Sequence, residues 1–284
     1  MVKIITDSSP LISPEQAKEM GFDVLPLSVS INGQTYLDLV DISNKDFVDL
    51  VNKYGKEGQH PTSSQPAIGS IIDAMNSYPD TEILMLAMTD GLSGTYRSAC
   101  SAAKISENAD NITVINTKTL AGPHQYLTLK ALEYANMGMT AKEIVDKLQP
   151  SIDNSASYLI PQDFGFLRRG GRLTPIAAAI GSMLKIVPVL VQTDDGCRIE
   201  KLALKRTFSA GIDAVANSIR KKFDINENYT IYIMHSEAPD LAEKARMILA
   251  GHFPTVPSKI LPLGPAFTVQ GGPYCVAIQL ILRQ

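Results

Sequence analysis

The chain of 284 residues contains no tryptophan and only three cysteines. The cysteines at positions 100, 197 and 275 are far apart and odd in number, which argues against a disulfide framework or a structural zinc site. We therefore expect three reduced, packed thiols. The lack of tryptophan also removes the aromatic anchors that membrane proteins commonly place at the lipid interface.

Long apolar runs and dense charge are missing as well. The longest apolar stretch, 174–191, is interrupted by Lys185 and Pro188, so it is too short to span a bilayer. Asp7 interrupts the apolar start before it could act as a secretory segment. Charged residues make up 19% of the chain and the net charge is −3, which does not favour nucleic-acid binding. We expect a cytoplasmic protein without integral membrane association.

Several catalytic motifs are absent. The sequence has no P-loop and no GxGxxG, and its four histidines show no metal-ligand spacing, so we expect neither a metal nor a cofactor. The segment Gly91-Leu92-Ser93-Gly94-Thr95 differs from a nucleophile elbow because its fifth residue is threonine. A serine esterase or acyltransferase that uses Ser93 stays open as an alternative, although no histidine base is evident.

Apolar strand segments alternate with helical segments along the whole chain, which predicts an α/β fold with two domains. The first domain, 1–153, should hold a mostly parallel sheet covered by helices, and the second, 154–284, a mixed α/β arrangement. Strands are expected at 2–6, 23–31, 34–37, 82–88, 112–116, 155–160, 186–193, 198–204, 229–235, 259–263 and 274–282. The segments 55–66, 161–173 and 264–273 are expected to be loops.

Hydroxyl-rich turns follow two predicted strands and precede one helix, at 6–9, 89–95 and 61–66. Ligands of parallel α/β sheets bind beyond the carboxyl ends of the strands, where free N–H groups at helix starts can hold an anion. Serine and threonine at helix starts are also ordinary caps. The turns alone do not distinguish a carboxylate site from capping.

Taken in order, the motifs resemble the DegV family of bacterial fatty-acid-binding proteins. The resemblance covers nearly the whole chain and is carried by TDSS at 6–9, PTSSQP at 61–66, LSGTYRSA at 92–99, NTKT at 116–119, LRRGGR at 167–172, LKIVPVL at 184–190, KRT at 205–207 and a GP…GGP ending. PTSSQP and LSGTYRSA in this order and spacing are the most specific elements.

The resemblance implies two α/β domains with one long-chain fatty acid, such as a C16 or C18 acid, bound between them. It assigns the carboxyl group to Thr62 and Ser93, and the acyl tail to a tunnel in the C-terminal domain. Further head-group or partner contacts that the resemblance suggests are Ser63, Ser64, Gly94, Arg169, Arg172, Arg206 and Gln270. The candidate tunnel walls are Ile176, Ile180, Met183, Leu184, Ile186, Val189 and Val191.

The resemblance also implies one partner, because some family members present the acyl chain to a separate fatty acid kinase subunit. Kinase-type relatives usually carry a histidine in the closing turn, where this chain has Gln270. A glutamine can hydrogen-bond but cannot carry charge. We therefore predict a non-catalytic binding protein for lipid transport or fatty acid metabolism, with the acyl-presenting kinase subunit as the alternative.

Overall fold

The computed structural model describes residues 2–178 and 186–284. The strands of the first half are β1 (Lys3–Asp7), β2 (Asp23–Leu25), β3 (Ser28–Ile31), β4 (Gln34–Leu37), β5 (Thr62–Ser64), β6 (Ile83–Ala87) and β7 (Ile112–Asn116). The helices of the first half are α1 (Pro14–Met20), α2 (Asn44–Gly55), α3 (Ile68–Asn76), α4 (Thr95–Ile105), α5 (Ala121–Asn136) and α6 (Ala141–Asp153).

The second half continues with helices and strands that are less regularly alternated. Its strands are β8 (Ser155–Ile160), β9 (Val187–Gln192), β10 (Ile199–Lys205), β11 (Tyr229–His235), β12 (Ser258–Pro262) and β13 (Val276–Leu282). Its described helices are α7 (Phe164–Gly170), α8 (Pro175–Ala178), α9 (Phe208–Lys222), α10 (Pro239–His252) and α11 (Pro265–Gly271).

Two large sheets organise these elements. The first has the order β2-β1-β6-β7 and is entirely parallel. The second has the order β10-β9-β8-β13-β11-β12 and is antiparallel except for the β11–β12 pair. A small antiparallel sheet, β4-β3-β5, lies in the first half. The predicted two-domain α/β fold, with a parallel and a mixed sheet, is confirmed.

Helices cover both faces of each large sheet, so the core is built in layers. On β1, Ile4 packs with the cluster of α5 and α6, whereas the next residue, Ile5, packs with α3 and α4. This alternation is expected of a strand that is buried on both faces. The pair α5 and α6 also contacts β11 and β13, while α9 and α10 cover the far face of the second sheet. The layer order is therefore helix, sheet, helix, sheet, helix.

The predicted domain boundary between residues 153 and 154 falls where α6 ends and β8 begins. Helices α5 and α6 contribute to a single apolar cluster that includes Ile4 of the first sheet and Met234 and Ile281 of the second. They belong to the first half by sequence and contact both sheets in space. The division into 1–153 and 154–284 stays a prediction.

One predicted strand and three predicted loops differ from the structure. Pro26 divides the expected strand 23–31, because proline cannot donate a hydrogen bond to a neighbouring strand. The two parts become β2 and β3, which belong to different sheets. Inside the expected loop 55–66, β5 pairs with β3, so this turn is a sheet edge.

The other two expected loops contain the helices α7 and α11. Asp163 caps α7 by accepting from the N–H of Gly165, and the helix ends at Gly171 with φ of 71°. Helix α11 has Pro265 in its first turn and ends at Gly272 with φ of 78°. Positive φ favours glycine and ends both helices, so the two glycines mark helix ends where the sequence predicted loops.

No helix within residues 2–178 and 186–284 has the length and apolar character needed to cross a membrane.

Candidate ligand-binding cavity

A cavity of about 360 Å³ lies between the carboxyl ends of the parallel strands and one face of the second sheet. Cavities of this size hold drug-sized molecules. Most of its surface is apolar, and its charged lining residues in the described part of the chain are Asp38 and Arg172. The other lining residues include Ser9, Ser63, Ser64, Gln65, Met88, Ser93, Gly94, Ser157, Leu159, Leu190, Val191, Met234, Gln270, Cys275, Ala277 and Gln279.

One side of the cavity, which we call the C-terminal wall, consists of Ser157, Leu159, Leu190, Ala277 and Gln279. These side chains share one face of the second sheet because their strands are in register. Leu159 pairs with Ala277 and with Leu190, and Ser157 pairs with Gln279. Successive residues of a strand point to opposite faces, so the intervening residues belong to the core beneath α9.

The opposite side, which we call the N-terminal wall, consists of Ser63, Ser64, Gln65, Ser93 and Gly94. The first three lie in and just after β5, which is held in place by pairing with β3. The last two precede α4, in the turn that follows β6. The sequence predicted both turns as hydroxyl-rich, and the structure brings them to one cavity.

Gln270 of α11 lies between the two walls. Its Nε2 donates to Ser63 Oγ at 3.1 Å. Its Oε1 is buried and has no hydrogen-bond partner among the described residues. The α-carbon of Gly170 lies so close that a side chain at position 170 would collide with this oxygen. The structure therefore holds the amide of Gln270 at the cavity with one oxygen unsatisfied.

Ser93 is held at the start of α4. Its Oγ accepts from the backbone N–H of Thr95 at 3.3 Å and shares a hydrogen bond of 2.8 Å with Thr95 Oγ1. The helix cap itself is Gly94, not Ser93. Because the first N–H groups of a helix have no intrahelical partner, the start of α4 offers donors and a positive dipole end to the cavity.

Three arginines are predicted to contact the head group or a partner, and the structure places them in different surroundings. Arg172 lines the cavity, where its Nε donates to the carbonyl of Leu92 at 3.1 Å and its Nη1 to that of Gly170. Arg169 is exposed and lies over the ring of Phe166. Arg206 is exposed at the end of β10. Neither Arg169 nor Arg206 lines the cavity.

Thr62 is placed differently from its predicted role. Its side chain is exposed and does not line the cavity, whereas Ser63 and Ser64 do. Ser63, the next residue of β5, is the one whose hydroxyl accepts from Gln270. The sequence motif located the turn, but which of its residues line the cavity depends on tertiary packing.

The predicted tunnel residues are distributed over several environments. Val191 lines the cavity, but Val189 is fully buried in the core beneath α9. Ile176 is 76% exposed, and Ile186 is half-buried away from the cavity lining. The other three, Ile180, Met183 and Leu184, lie outside the described residues. Leu159, Leu190 and Ala277 were not predicted, because strand register was needed to find them.

A buried polar network beneath the cavity was also missed. Thr6 Oγ1 donates to the carbonyl of Leu86 at 2.8 Å, so it can only accept from His124 Nε2 at 3.2 Å. The remaining nitrogen, Nδ1, then accepts from Ser9 Oγ at 2.6 Å. Burial lowers the pKa of His124, so the ring is neutral. His124 is far in sequence from the turn at 6–9, so no local motif predicts this contact. The packing of α5 on β1 brings the two together.

Asp38 is the buried carboxyl group of the cavity. It accepts from Ser8 Oγ at 2.7 Å and from the backbone N–H of Ala266 at 3.0 Å. Burial raises the pKa of Asp38 to about 6, because desolvation disfavours the charged form. The Asp38 carboxyl group therefore links the turn that follows β1 to the start of α11 through hydrogen bonds.

The lining offers little for metal or thiolate chemistry. Among residues 2–178 and 186–284, no three metal-ligating side chains of the His, Cys, Asp and Glu types come together. Cys275 lines the cavity, but burial raises the pKa of its thiol to about 12. What the cavity can do is hold a molecule with a polar end against the N-terminal wall and an apolar body against the C-terminal wall.

Known proteins resemble this chain over its whole length. A family model described as an uncharacterised protein of the DegV family matches residues 1–283. The DegV domain-containing protein SA1258 of Staphylococcus aureus is 29% identical over 247 residues, 86% of each chain. The fatty acid binding DegV family protein SAG1342 of Streptococcus agalactiae is 25% identical, with a TM-score of 0.88 over 100% of this chain and 99% of that one.

A third likeness supports the fold. The DegV family protein of Thermus thermophilus, whose structure is described as one of fatty acid binding, is 23% identical and has a TM-score of 0.86 over 99% of both chains. The match of the family model to nearly every residue agrees with the layered fold and with the motifs that line the cavity. This chain belongs to the DegV family.

Proposed function

We propose that this protein binds one long-chain fatty acid, such as a C16 or C18 acid. The carboxyl group lies near Ser63, Ser93 and Gln270, and the tail follows the C-terminal wall. The observation that carries the proposal is a single cavity with hydroxyl and amide groups on one side and an apolar strand face on the other. Ser63 takes the place of Thr62 in this proposal because Thr62 is exposed outside the cavity.

The polar end of the cavity suits a carboxyl group. Ser63 and Ser93 supply hydroxyls, the start of α4 supplies backbone donors, and Arg172 supplies a positive charge. The unsatisfied Oε1 of Gln270 can accept from a protonated carboxyl group, or the amide can turn and donate Nε2 to a carboxylate. A family relative described as fatty acid binding, SAG1342, supports the same ligand class.

The energetics favour a ligand with a long tail. Each buried methylene contributes ~0.8 kcal/mol, so a tail of about 14 contributes roughly 11 kcal/mol before the costs of association. The head group then has only to be satisfied by hydrogen bonds. Affinity comes mainly from the C-terminal wall, and orientation from the N-terminal wall.

We propose a carrier without chemistry of its own. The hydroxyl of Ser93 is bonded to Thr95, and no histidine ring in the described part of the chain hydrogen-bonds to it. The presentation of the acyl chain to a kinase subunit stays a prediction of the family resemblance.

The test is a titration of the delipidated protein with palmitate and stearate, followed by native mass spectrometry. We expect one acid per chain. Methyl stearate keeps the tail but has neither the charge nor the O–H of the free acid. It should bind roughly tenfold to a hundredfold more weakly, since hydrogen bonds to a charged group are worth about 1.5–3 kcal/mol. A protein that takes up neither acid would disprove the proposal.

A further inference from the structure

One polar side chain of the C-terminal wall is not explained by an alkyl tail. Gln279 lies at the centre of β13 and is 2% exposed. Its Nε2 donates to Ser157 Oγ at 2.8 Å. Gln279 lines the same cavity, and its Oε1 is buried and has no hydrogen-bond partner among the described residues. A buried polar atom without a partner is rare in folded proteins and points to a missing ligand atom or water.

Gln270 and Gln279 have the same hydrogen-bonding pattern. Each lines the cavity, each has its Nε2 bonded to a serine hydroxyl, and each has a buried, unpartnered Oε1. For Gln270, beside Ser63, the proposed carboxyl group supplies the missing partner. A saturated or unsaturated hydrocarbon tail supplies none to Gln279, so a plain fatty acid leaves this amide unsatisfied.

A hydroxyl group meets the requirement at Gln279 whichever edge of the amide faces the cavity. A hydroxyl can donate to Oε1, and it can equally accept from Nε2 if the amide turns over to receive a hydrogen bond from Ser157. A carbonyl or an ether could serve only the second arrangement. The chemistry therefore favours a hydroxylated chain over a keto or ether chain.

The strand geometry gives the position of this hydroxyl along the ligand. Gln270 and Gly271 lie at the Cys275 end of β13, since a side chain on Gly271 would meet the Cys275 sulfur. Gln279 lies four residue steps beyond Cys275, and an antiparallel strand rises ~3.4 Å per residue, which gives about 14 Å. An extended chain advances ~1.2 Å per bond, so this distance corresponds to about eleven bonds from the carboxyl end.

We infer that this protein selects long-chain fatty acids that carry a hydroxyl group near the middle of the chain, around carbons 10 to 12, which the Gln279 amide recognises. The inference rests on the proposed function, because it assumes that the carboxyl group lies at the Ser63 end. It adds a substrate class that apolar burial alone does not specify.

The test is a competition between stearate and its hydroxylated forms on the delipidated protein. We expect 10- or 12-hydroxystearate to bind about three- to tenfold more tightly than stearate, the gain from one net hydrogen bond. In contrast, 3-hydroxystearate and 10-methylstearate should show no such gain. The first places the hydroxyl far from Gln279, and the second reproduces a mid-chain substituent without a hydrogen bond.

Two variants complete the experiment. Gln279→Met, which keeps the length of the side chain and removes the amide, should abolish the preference for the hydroxylated acids. Gln34→Met, at an exposed position on β4, should retain it. If Gln279→Met does not fold, the positional series on the unaltered protein decides the question by itself.

The outcomes separate this inference from the proposed function. Equal affinity for stearate, 10-hydroxystearate and 12-hydroxystearate would overturn it and would mean that a water molecule satisfies Gln279, while fatty-acid binding would stand. A preference that survives in Gln279→Met would also overturn it. Failure of every acid, stearate included, would overturn both proposals.

Discussion

The two walls of the cavity differ in chemistry and in the way the chain builds them. The N-terminal wall comes from short turns at a strand edge and before a helix, and it presents hydroxyls and backbone N–H groups. The C-terminal wall comes from alternate residues of β8, β9 and β13, and it is apolar except at its Ser157–Gln279 pair. A turn can be recognised from a few consecutive residues, but a wall made of strand faces depends on register across the sheet.

The largest expected effect comes from filling the C-terminal wall. Ala277→Phe would occupy the space of roughly four methylenes of the tail, which corresponds to about 3 kcal/mol, or about a hundredfold loss of affinity for stearate. The neighbouring substitution Ile278→Val faces the α9 side, so it should reduce stability by about 0.5–1.5 kcal/mol and leave affinity unchanged. Isothermal titration and thermal unfolding of both variants measure the two effects.

The pair of substitutions also tests the alternation that defines the wall. Stearate binding of Ala277→Phe at the strength of the unaltered protein would show that the tail does not follow β13. Impaired binding by Ile278→Val, with Ala277→Phe unaffected, would place the ligand on the opposite face of the sheet.

The next expected effect is a change with pH in the stability contributed by Asp38, the buried carboxyl group of the cavity. The pKa of Asp38 is raised to about 6 in the folded protein, against an ordinary value of 3.8. The folded state thus binds a proton more strongly than the unfolded state between these values. Stability contributed by this group is complete below pH 4 and is lost as the pH rises through 6. Asp38→Asn removes this dependence, because asparagine does not titrate.

The measurement is the free energy of unfolding of both proteins at several pH values from 4 to 7. We expect the difference between Asp38→Asn and the unaltered protein to shift in favour of the variant by about 3 kcal/mol over this range. The comparison cancels the titration of other carboxyl groups. A difference that is constant with pH would show that the carboxyl of Asp38 is not protonated on folding.

The sequence was sufficient for most strands and for the positions of the hydroxyl-rich turns, but not for long-range register. The hydroxyl-rich turns at 61–66 and 89–95 follow from neighbouring residues, and residues of both line the cavity. The choice between Leu190, which lines the cavity, and Val189, which lies in the core beneath α9, depends on a two-residue period whose phase is set by a distant strand. A shift of one residue places the side chain on the other face.

Helices α7 and α11 show a second limit of local patterns. Their segments are loops in the prediction, whereas Gly171 and Gly272 end helices with positive φ. His124 shows a third limit, because its role depends on a contact between α5 and β1 that is more than 100 residues apart in sequence. Such contacts are tertiary, and helix or strand propensity does not encode them.

The smallest expected effect distinguishes adjacent residues of the N-terminal wall. Ser63→Ala removes the hydroxyl that positions the Gln270 amide, so stearate affinity should fall about three- to tenfold, the cost of one net hydrogen bond. Thr62→Ala alters an exposed side chain outside the cavity and should change affinity less than about twofold. A larger loss in Thr62→Ala than in Ser63→Ala would reverse this assignment. The carboxyl group would then bind at the exposed face of β5, and the turn would contribute to the head-group site through the residue that the motif first indicated.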